Sequence, residues 1–492
     1  MTTYNNISSL EPKEVWSSFV ALNAIPRPSK KEEKVMAFIL DFGASLGLET
    51  LQDAVGNILI RKPATKGMEQ SSCVTLQAHL DMVHQKNDDT VFDFETHGIQ
   101  MEVIGDWVKA KGTTLGADNG MGVAAIMAVL KSVDIKHGPL EALFTIDEET
   151  GMTGAKGLLS GWLQGRYLLN LDTEEDDEIS IGCAGGIDIT AVAAFELSPQ
   201  LSAVQMFEIK LSGLQGGHSG MDIHRGFGNA NLIVNDLLLS FTDRFDIQLH
   251  SIKGGSLRNA IPRESVVQFL VPTAQLASFK AFAEVHIHQS IKQWSEKEQN
   301  LVIDLHKVLD QKPPGITSVA LSVTDTKLLC VQIKEVHNGV YTMNALVPNL
   351  VETSNNLAKV NLVAGKFQIE CLCRSSVERA KMDLANKIRD TFDTAIFEVT
   401  FSGDYPGWEP KPEGALLSLF KKKYEEIFQE SPRIVACHAG LECGLLGKPY
   451  PEMEMISFGP TIRGAHSPDE KVNIPSVQKF WRYFIAILKV IE

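Results

Sequence analysis

The stretch Leu76-Gln77-Ala78-His79-Leu80-Asp81-Met82-Val83-His84 constrains this chain most. An apolar, β-prone run (Cys73, Val74, Leu76) ends in His-x-Asp, a pair whose side chains leave a strand on one face. The imidazole is a ligand for a borderline metal, and a carboxylate two residues on can fix the ring's tautomer from behind. The pattern then recurs. Residues 140–146 read as a strand running into Asp147-Glu148-Glu149-Thr150-Gly151, and residues 167–171 as another ending at Asp172. Between them, the glycine-rich residues 112–122 carry Asp118 and open a small-residue helix at 123–129. That loop lacks the Lys-Ser/Thr ending of a phosphate-binding loop and fits no dinucleotide fingerprint. Strands alternating with helices, with acids at the carboxyl ends, predict an α/β domain whose site lies along one edge of a mostly parallel sheet.

A chain of 492 residues exceeds one core, so at least two domains are expected. The texture changes near residue 186. Alternating segments at 206–211, 266–271, 328–333 and 366–371 are interleaved with helices at 275–294 and 377–391, an α+β layout. Ile209-Lys210 with His218, Gly220 and Met221 is loosely echoed by Ile333-Lys334 with His337, Gly339 and Met343, a faint trace of duplication. The α/β texture returns near 403, with a helix at 414–429 and a strand at 455–458 leading to Gly464-Ala465-His466-Ser467. A split catalytic domain (1–185 and 403–492) interrupted by an inserted domain (186–402) accounts for both changes. Near the start, Ser29 and Glu32 form a capping-box signature for a helix carrying Val35, Phe38, Ile39 and Phe42.

A net charge of −15 argues against nucleic acid or a membrane surface as partner, since both carry phosphate. No apolar run approaches the ~20 residues a bilayer span needs. The first five residues lack the basic and apolar regions of a signal peptide, and the odd count of seven cysteines argues against a disulfide framework, so a cytoplasmic location is expected. Cys371, Cys373, Cys437 and Cys443 lack zinc-knuckle spacing and are read as small buried hydrophobes.

Brought to one sheet edge, His79, Asp81, Asp118, Glu148, Glu149, Asp172 and His466 would repel strongly unless cations neutralised them. Two divalent ions suffice, and imidazole plus carboxylate without thiolate favours zinc, with cobalt or manganese as substitutes. Adjacent Glu148 and Glu149 cannot point the same way from an extended chain. One can therefore coordinate while the other stays free as a base, which is what metal-assisted hydrolysis requires.

These motifs (His79-Leu80-Asp81, Gly116-Ala117-Asp118-Asn119-Gly120, Asp147-Glu148-Glu149-Thr150-Gly151, Asn170-Leu171-Asp172, Gly464-Ala465-His466-Ser467 and Gly216-Gly217-His218-Ser219-Gly220) resemble those of the M20 co-catalytic metallopeptidases. The resemblance implies a zinc-exopeptidase-type α/β domain with an inserted α+β lid that could also mediate a homodimer. It implies that Asp118 bridges two zinc ions, with His79 and Asp172 completing one site and Glu149 and His466 the other. Asp81 would orient His79, Glu148 would be the general base, and the peptide between Asp118 and Asn119 would be cis. His218 would stabilise the oxyanion, Arg374 would take the substrate's C-terminal carboxylate, and Asn259 would be a further contact from the lid. His438 and Glu442, spaced like neighbours on one helical turn, would line the pocket or pack. The expected activity is hydrolysis of unblocked dipeptides, a C-terminal histidine among the candidate side chains, by a water bridging two zinc ions. A tripeptide aminopeptidase, an N-acyl amino acid amidohydrolase and an inactive metal- or partner-binding module are the alternatives.

Overall fold

The computed structural model describes residues 7–199, 203–308 and 319–492, so the terminal segment read for targeting signals lies outside it. The chain forms two units. The first runs to Gly182 and takes in Trp408–Ala436 and Leu441–Glu492; the second comprises Cys183–Gly407 and Cys437–Gly440. These boundaries differ by a few residues from the expected 185 and 403. The strand Phe397–Tyr405, where α/β texture was expected to return, pairs with Gly185–Ala194 in the second unit's sheet.

The first unit is built on an eight-stranded sheet in the order Glu49–Gln52, Ile58–Lys62, Leu140–Thr145, Val74–His79, Tyr167–Asn170, Glu454–Ser457, Glu178–Cys183, Arg433–Cys437. The run from Leu140–Thr145 to Glu454–Ser457 is parallel. The hairpin joining Glu49–Gln52 to Ile58–Lys62 turns too tightly for a crossover and is antiparallel, as is its pairing to Leu140–Thr145. The central strands are buried along their whole length, their polar residues Thr75, Gln77, His79, Glu141 and Thr145 included. Because they share a direction, the loops after His79, Thr145, Asn170 and Ser457 all emerge at one sheet edge.

Helix Ala117–Lys131 is buried from Asn119 to Leu130. Met121, Ala124 and Ala128 join one apolar cluster with Trp16 and Phe19, while Val123, Ile126 and Val129 join another with Phe144, Phe420 and Phe484. Helix Glu33–Ser45 does form, but without the capping box. Ser29 donates to the Met82 carbonyl instead, and Glu32 accepts from the Lys30 and Asp147 amides.

The second unit holds a nine-stranded sheet whose pairings are antiparallel, running from Val302–Lys307 to Phe397–Tyr405. Helices Ala230–Thr242, Leu276–Trp294 and Glu378–Arg389 contribute Phe241, Phe279 and Leu384 to a core shared with Phe207 and Phe269 of the sheet. Residues 328–333 are not a strand; they lie in helix Val323–Glu335. Ser322 accepts from the Asp325 amide to start that helix, and Thr326, Leu329, Cys330 and Ile333 bury one face at helical spacing. Ile333-Lys334 is therefore helical where Ile209-Lys210 is extended, and the apparent duplication disappears. Cys371, Cys373 and Cys443 are buried as expected, whereas Cys437 is only partly buried. Among the described residues, no helix is long and apolar enough to cross a membrane.

Candidate active site

The four loops at the parallel strands' carboxyl edge, with the start of helix Ala117–Lys131, bring five of the expected ligands together within the first unit. His79 is the last residue of its strand, and its Nε2 lies 3.2 Å from Asp118 Oδ1 and 3.5 Å from Asp172 Oδ1. His466 Nε2 lies 3.1 Å from Asp118 Oδ2 and 3.1 Å from Glu149 Oε2. Asp118 thus turns one oxygen to each imidazole. The peptide between Asp118 and Asn119 is cis.

Asp81 sits two residues past the end of the strand rather than on it. Its Oδ1 is 3.3 Å from His79 Nδ1, which also meets the Asp81 carbonyl at 3.1 Å. The same carboxylate accepts the amides of Glu148 (3.0 Å) and Glu149 (3.2 Å). One side chain therefore orients the His79 ring and shapes the turn that separates Glu148 from Glu149.

The donor set fits divalent cations. His79, Asp118 and Asp172 offer ligand atoms within 4.8 Å of one another, as do Asp118, Glu149 and His466. Separations of 3.1–3.5 Å match the edges of a tetrahedron around an ion bound at zinc distances, about 3.3 Å. Glu149 Oε1 is buried without a hydrogen-bond partner, as an oxygen reserved for a metal would be.

Electrostatics lead the same way. Burial raises the Asp172 carboxyl to about 6, with the charges of Asp118 and Glu149 adding to it. Burial pushes Glu148 well above the usual carboxylate range, helped by Asp172, Glu442 and Glu149. Hydrogen bonds to Asp118 and Glu149 raise His466 to about 11. Burial opposes a charge on Asp118, yet His466 and His79 outweigh it and hold that carboxyl low. Raised proton affinity on the His79 and His466 rings offsets the carboxylates, a part that cations held between rings and carboxylates would take over.

Sequence reasoning missed the groups behind the ligands. Arg27 is 1% exposed and donates to the Leu80, Asp81 and Gly116 carbonyls. Burial lowers it only to about 10, since Glu470, Asp81, Asp118 and Glu149 hold its charge. A Cβ on Gly116 or Gly120 would stand 2.5 or 2.6 Å from its guanidinium, so both motif glycines make room for it. Beneath the strand ends, Asn170 donates to Gln77, and Gln77 and Thr145 donate to Glu442 Oε2. Only the alternation of Gln77 with His79 and of Asn170 with Asp172 hinted at this network.

The other expected residues lie in the second unit. His218 Nδ1 accepts from the Gly220 and Met221 amides, leaving the ring proton to Nε2. Arg374 is buried on strand Lys366–Ser375 and donates to the Tyr405 hydroxyl at 2.8 Å. His438 is buried with Nε2 2.7 Å from Ser354 Oγ, and burial beside Arg374 lowers it to about 3. It is not one helical turn from Glu442, because helix Glu442–Gly447 begins only at Glu442 and residues 437–440 belong to the other unit. Asn259 is exposed, and its carbonyl accepts the Ser219 amide.

The chain was compared with known proteins. The model of Peptidase family M20/M25/M40 matches residues 75–490. The cytosol non-specific dipeptidase of Escherichia coli (strain K12) is 41% identical over 487 residues, covering 99% of both chains. The crystal structure of aminoacylhistidine dipeptidase from Vibrio alginolyticus superposes with a TM-score of 0.93 at 41% identity, covering 99% of both chains. Aminopeptidase PepT from Bacillus cereus shares the fold, with a TM-score of 0.57 at 15% identity and 98% coverage of each chain.

Proposed function

The chain belongs to peptidase family M20/M25/M40, and from that footing we propose that it is a dinuclear zinc dipeptidase acting on unblocked dipeptides, Xaa-His among them, in the cytoplasm. One observation carries the reading: the two oxygens of Asp118 face two imidazoles, each with a carboxylate of its own. His79, Asp118 and Asp172 would hold one ion, and Asp118, Glu149 and His466 the other, with cobalt or manganese as substitutes. Bound there, divalent cations supply Lewis acidity to the scissile carbonyl and to the attacking water.

The protein's own residues do the rest. Glu148 is assigned to the base rather than to the ligands, and its raised proton affinity suits a carboxylate that takes the water's proton and passes it to the leaving amine. Asp81 holds Glu148 and His79 in register for that transfer. His218, with its proton on Nε2, is assigned to the developing oxyanion and Arg374 to the substrate's carboxylate, while Asn259 and His438 are further contacts. For the location, the E. coli relative is named as a cytosolic protein.

Metal analysis by plasma emission, beside assays on Ala-His, Ala-Ala-Ala and N-acetyl amino acids, tests the reading. We expect two zinc ions per chain and turnover of Ala-His. Turnover of only the tripeptide or only the acetylated substrate would replace the dipeptidase with one of its rivals. Glu148→Ala should keep both ions and lose at least ~100-fold in kcat, as removal of a general base does. Full activity in that variant would refute the assigned base and leave the metal site standing.

A further inference from the structure

We infer that Glu470 is the positioning residue of the bridging carboxylate, holding the loop of Asp118 in its ligand-ready shape before any metal arrives. Glu470 is 2% exposed and lies four residues past His466. Its Oε2 accepts the amides of Leu115 (2.7 Å) and Gly116 (2.9 Å), and its Oε1 those of Ala117 (2.7 Å) and Asp118 (3.2 Å). Four consecutive N–H groups thus converge on one carboxylate.

Such convergence needs a special backbone. Gly116 stands in the left-handed region (φ 68°), and the amides around it form a concave nest that selects an anion. The nest opens helix Ala117–Lys131, whose own N-cap, Gly116, has no side chain to offer, so the cap comes from a residue 354 positions away. On the other side of this loop, Arg27 donates to the Gly116 carbonyl. The loop is therefore gripped between a buried anion and a buried cation, neither of which touches the metal-facing atoms of Asp118.

The linkage has a consequence for both ion sites. Glu470 belongs to the segment that presents His466, and turns at Gly464–Ser467 and Ser467–Glu470 make that segment short and stiff. One carboxylate therefore sets the distance between His466 Nε2 and Asp118 Oδ2, and with it the geometry of the ligand that both ions share. Loss of the clamp should weaken both ions together, unlike loss of His79 or His466, each of which serves one.

This inference rests on the two-metal reading above, and its test separates the two. Glu470→Gln keeps size and shape but turns an NH2 group against backbone N–H donors. With circular dichroism as the check on folding, competition for Zn2+ against a chromophoric chelator should show affinity reduced ~10–100-fold at both sites, as when a ligand's supporting hydrogen bonds are removed. At saturating zinc, kcat should fall while KM for Ala-His holds. Independently, hydrogen exchange on the wild-type protein stripped of metal should find the amides of residues 115–118 protected. A folded Glu470→Gln with wild-type zinc affinity at both sites would overturn the inference, as would apo amides exchanging as fast as exposed loop amides. If the variant does not fold, the exchange measurement decides. Wild-type protein that binds fewer than two ions would instead sink the two-metal reading.

Discussion

Labour in the proposed site is divided, residue by residue, between atoms that would face the cations and atoms that aim them. Asp81 is the clearest case, because its two oxygens serve the His79 ring and the Glu148 and Glu149 amides at once. Asp81→Asn places an NH2 group where one of those amides needs an acceptor. We expect kcat to fall ~10–100-fold with both zinc ions retained, the usual cost of losing a partner behind a metal ligand. Plasma emission and steady-state kinetics on one preparation check this, and unchanged kcat would remove Asp81 from the mechanism. Arg374 calls for a different experiment. Its fork is braced by the Tyr405 hydroxyl, and a lysine there offers a point charge without bidentate geometry. Hydrogen bonds between charged groups are worth about 1.5–3 kcal/mol. Arg374→Lys should accordingly raise KM for Ala-His roughly 10–100-fold while leaving its amide, which has no carboxylate, nearly unaffected. Equal losses on both substrates would take the carboxylate from Arg374.

Among the secondary-structure elements, the helix Ala117–Lys131 decides most, wedged as it is between two apolar clusters. Ala124 faces Trp16 and Phe19 with no exposure, so Ala124→Leu must force extra methylenes into a filled space. Overpacking of this kind costs about 1–3 kcal/mol, which a urea titration of the stripped protein would register as a lower midpoint. An unchanged midpoint would mean that the helix has room the structure does not give it. The five ligand motifs were legible in the sequence because each sits at the end of a strand or the start of a helix, where local pattern and local chemistry coincide. Parallel order among the central strands followed from the alternation of strands with helices and from the acids at their carboxyl ends. What stayed hidden was long-range. Glu470 and Arg27 each look like a lone surface charge, and apart from the Asn23 side chain that Arg27 also meets, their partners are backbone groups, which carry no signature in a sequence. The Ser29 and Glu32 pair has the spelling of a capping box, but Glu32 is taken by the Asp147 amide 115 positions away. Residues 328–333 alternate well enough for a strand, and only the serine cap six residues earlier points to a helix.

For the molecule as a whole, the cost of gathering so many acids should appear as a pH-dependent instability of the metal-free protein. Carboxyl groups in an unfolded chain ionise near pH ~4. In the folded first unit, burial raises Asp172 to about 6, Glu442 to about 7 and Glu174 to about 8. Between about pH 4 and 8, then, the folded protein keeps protons that the unfolded chain has released, and stability falls as pH rises. His466, raised to about 11, acts in the same sense above its unfolded value near 6.5, because its extra stabilisation is lost as pH climbs. Asp81 and Asp118, whose carboxyls are held low, oppose this only in more acidic solution, where their stabilisation is lost as pH falls. Cations bound at the carboxylates would replace these protons and stabilise the folded state by mass action. Calorimetry of the chelator-treated protein should show a first transition that moves down from pH 5.5 to 8, and the upward shift on adding zinc should widen over the same range. A metal-free transition that instead rises across that interval would mean the acids are not crowded as drawn, and that the cations have no buried charge to neutralise.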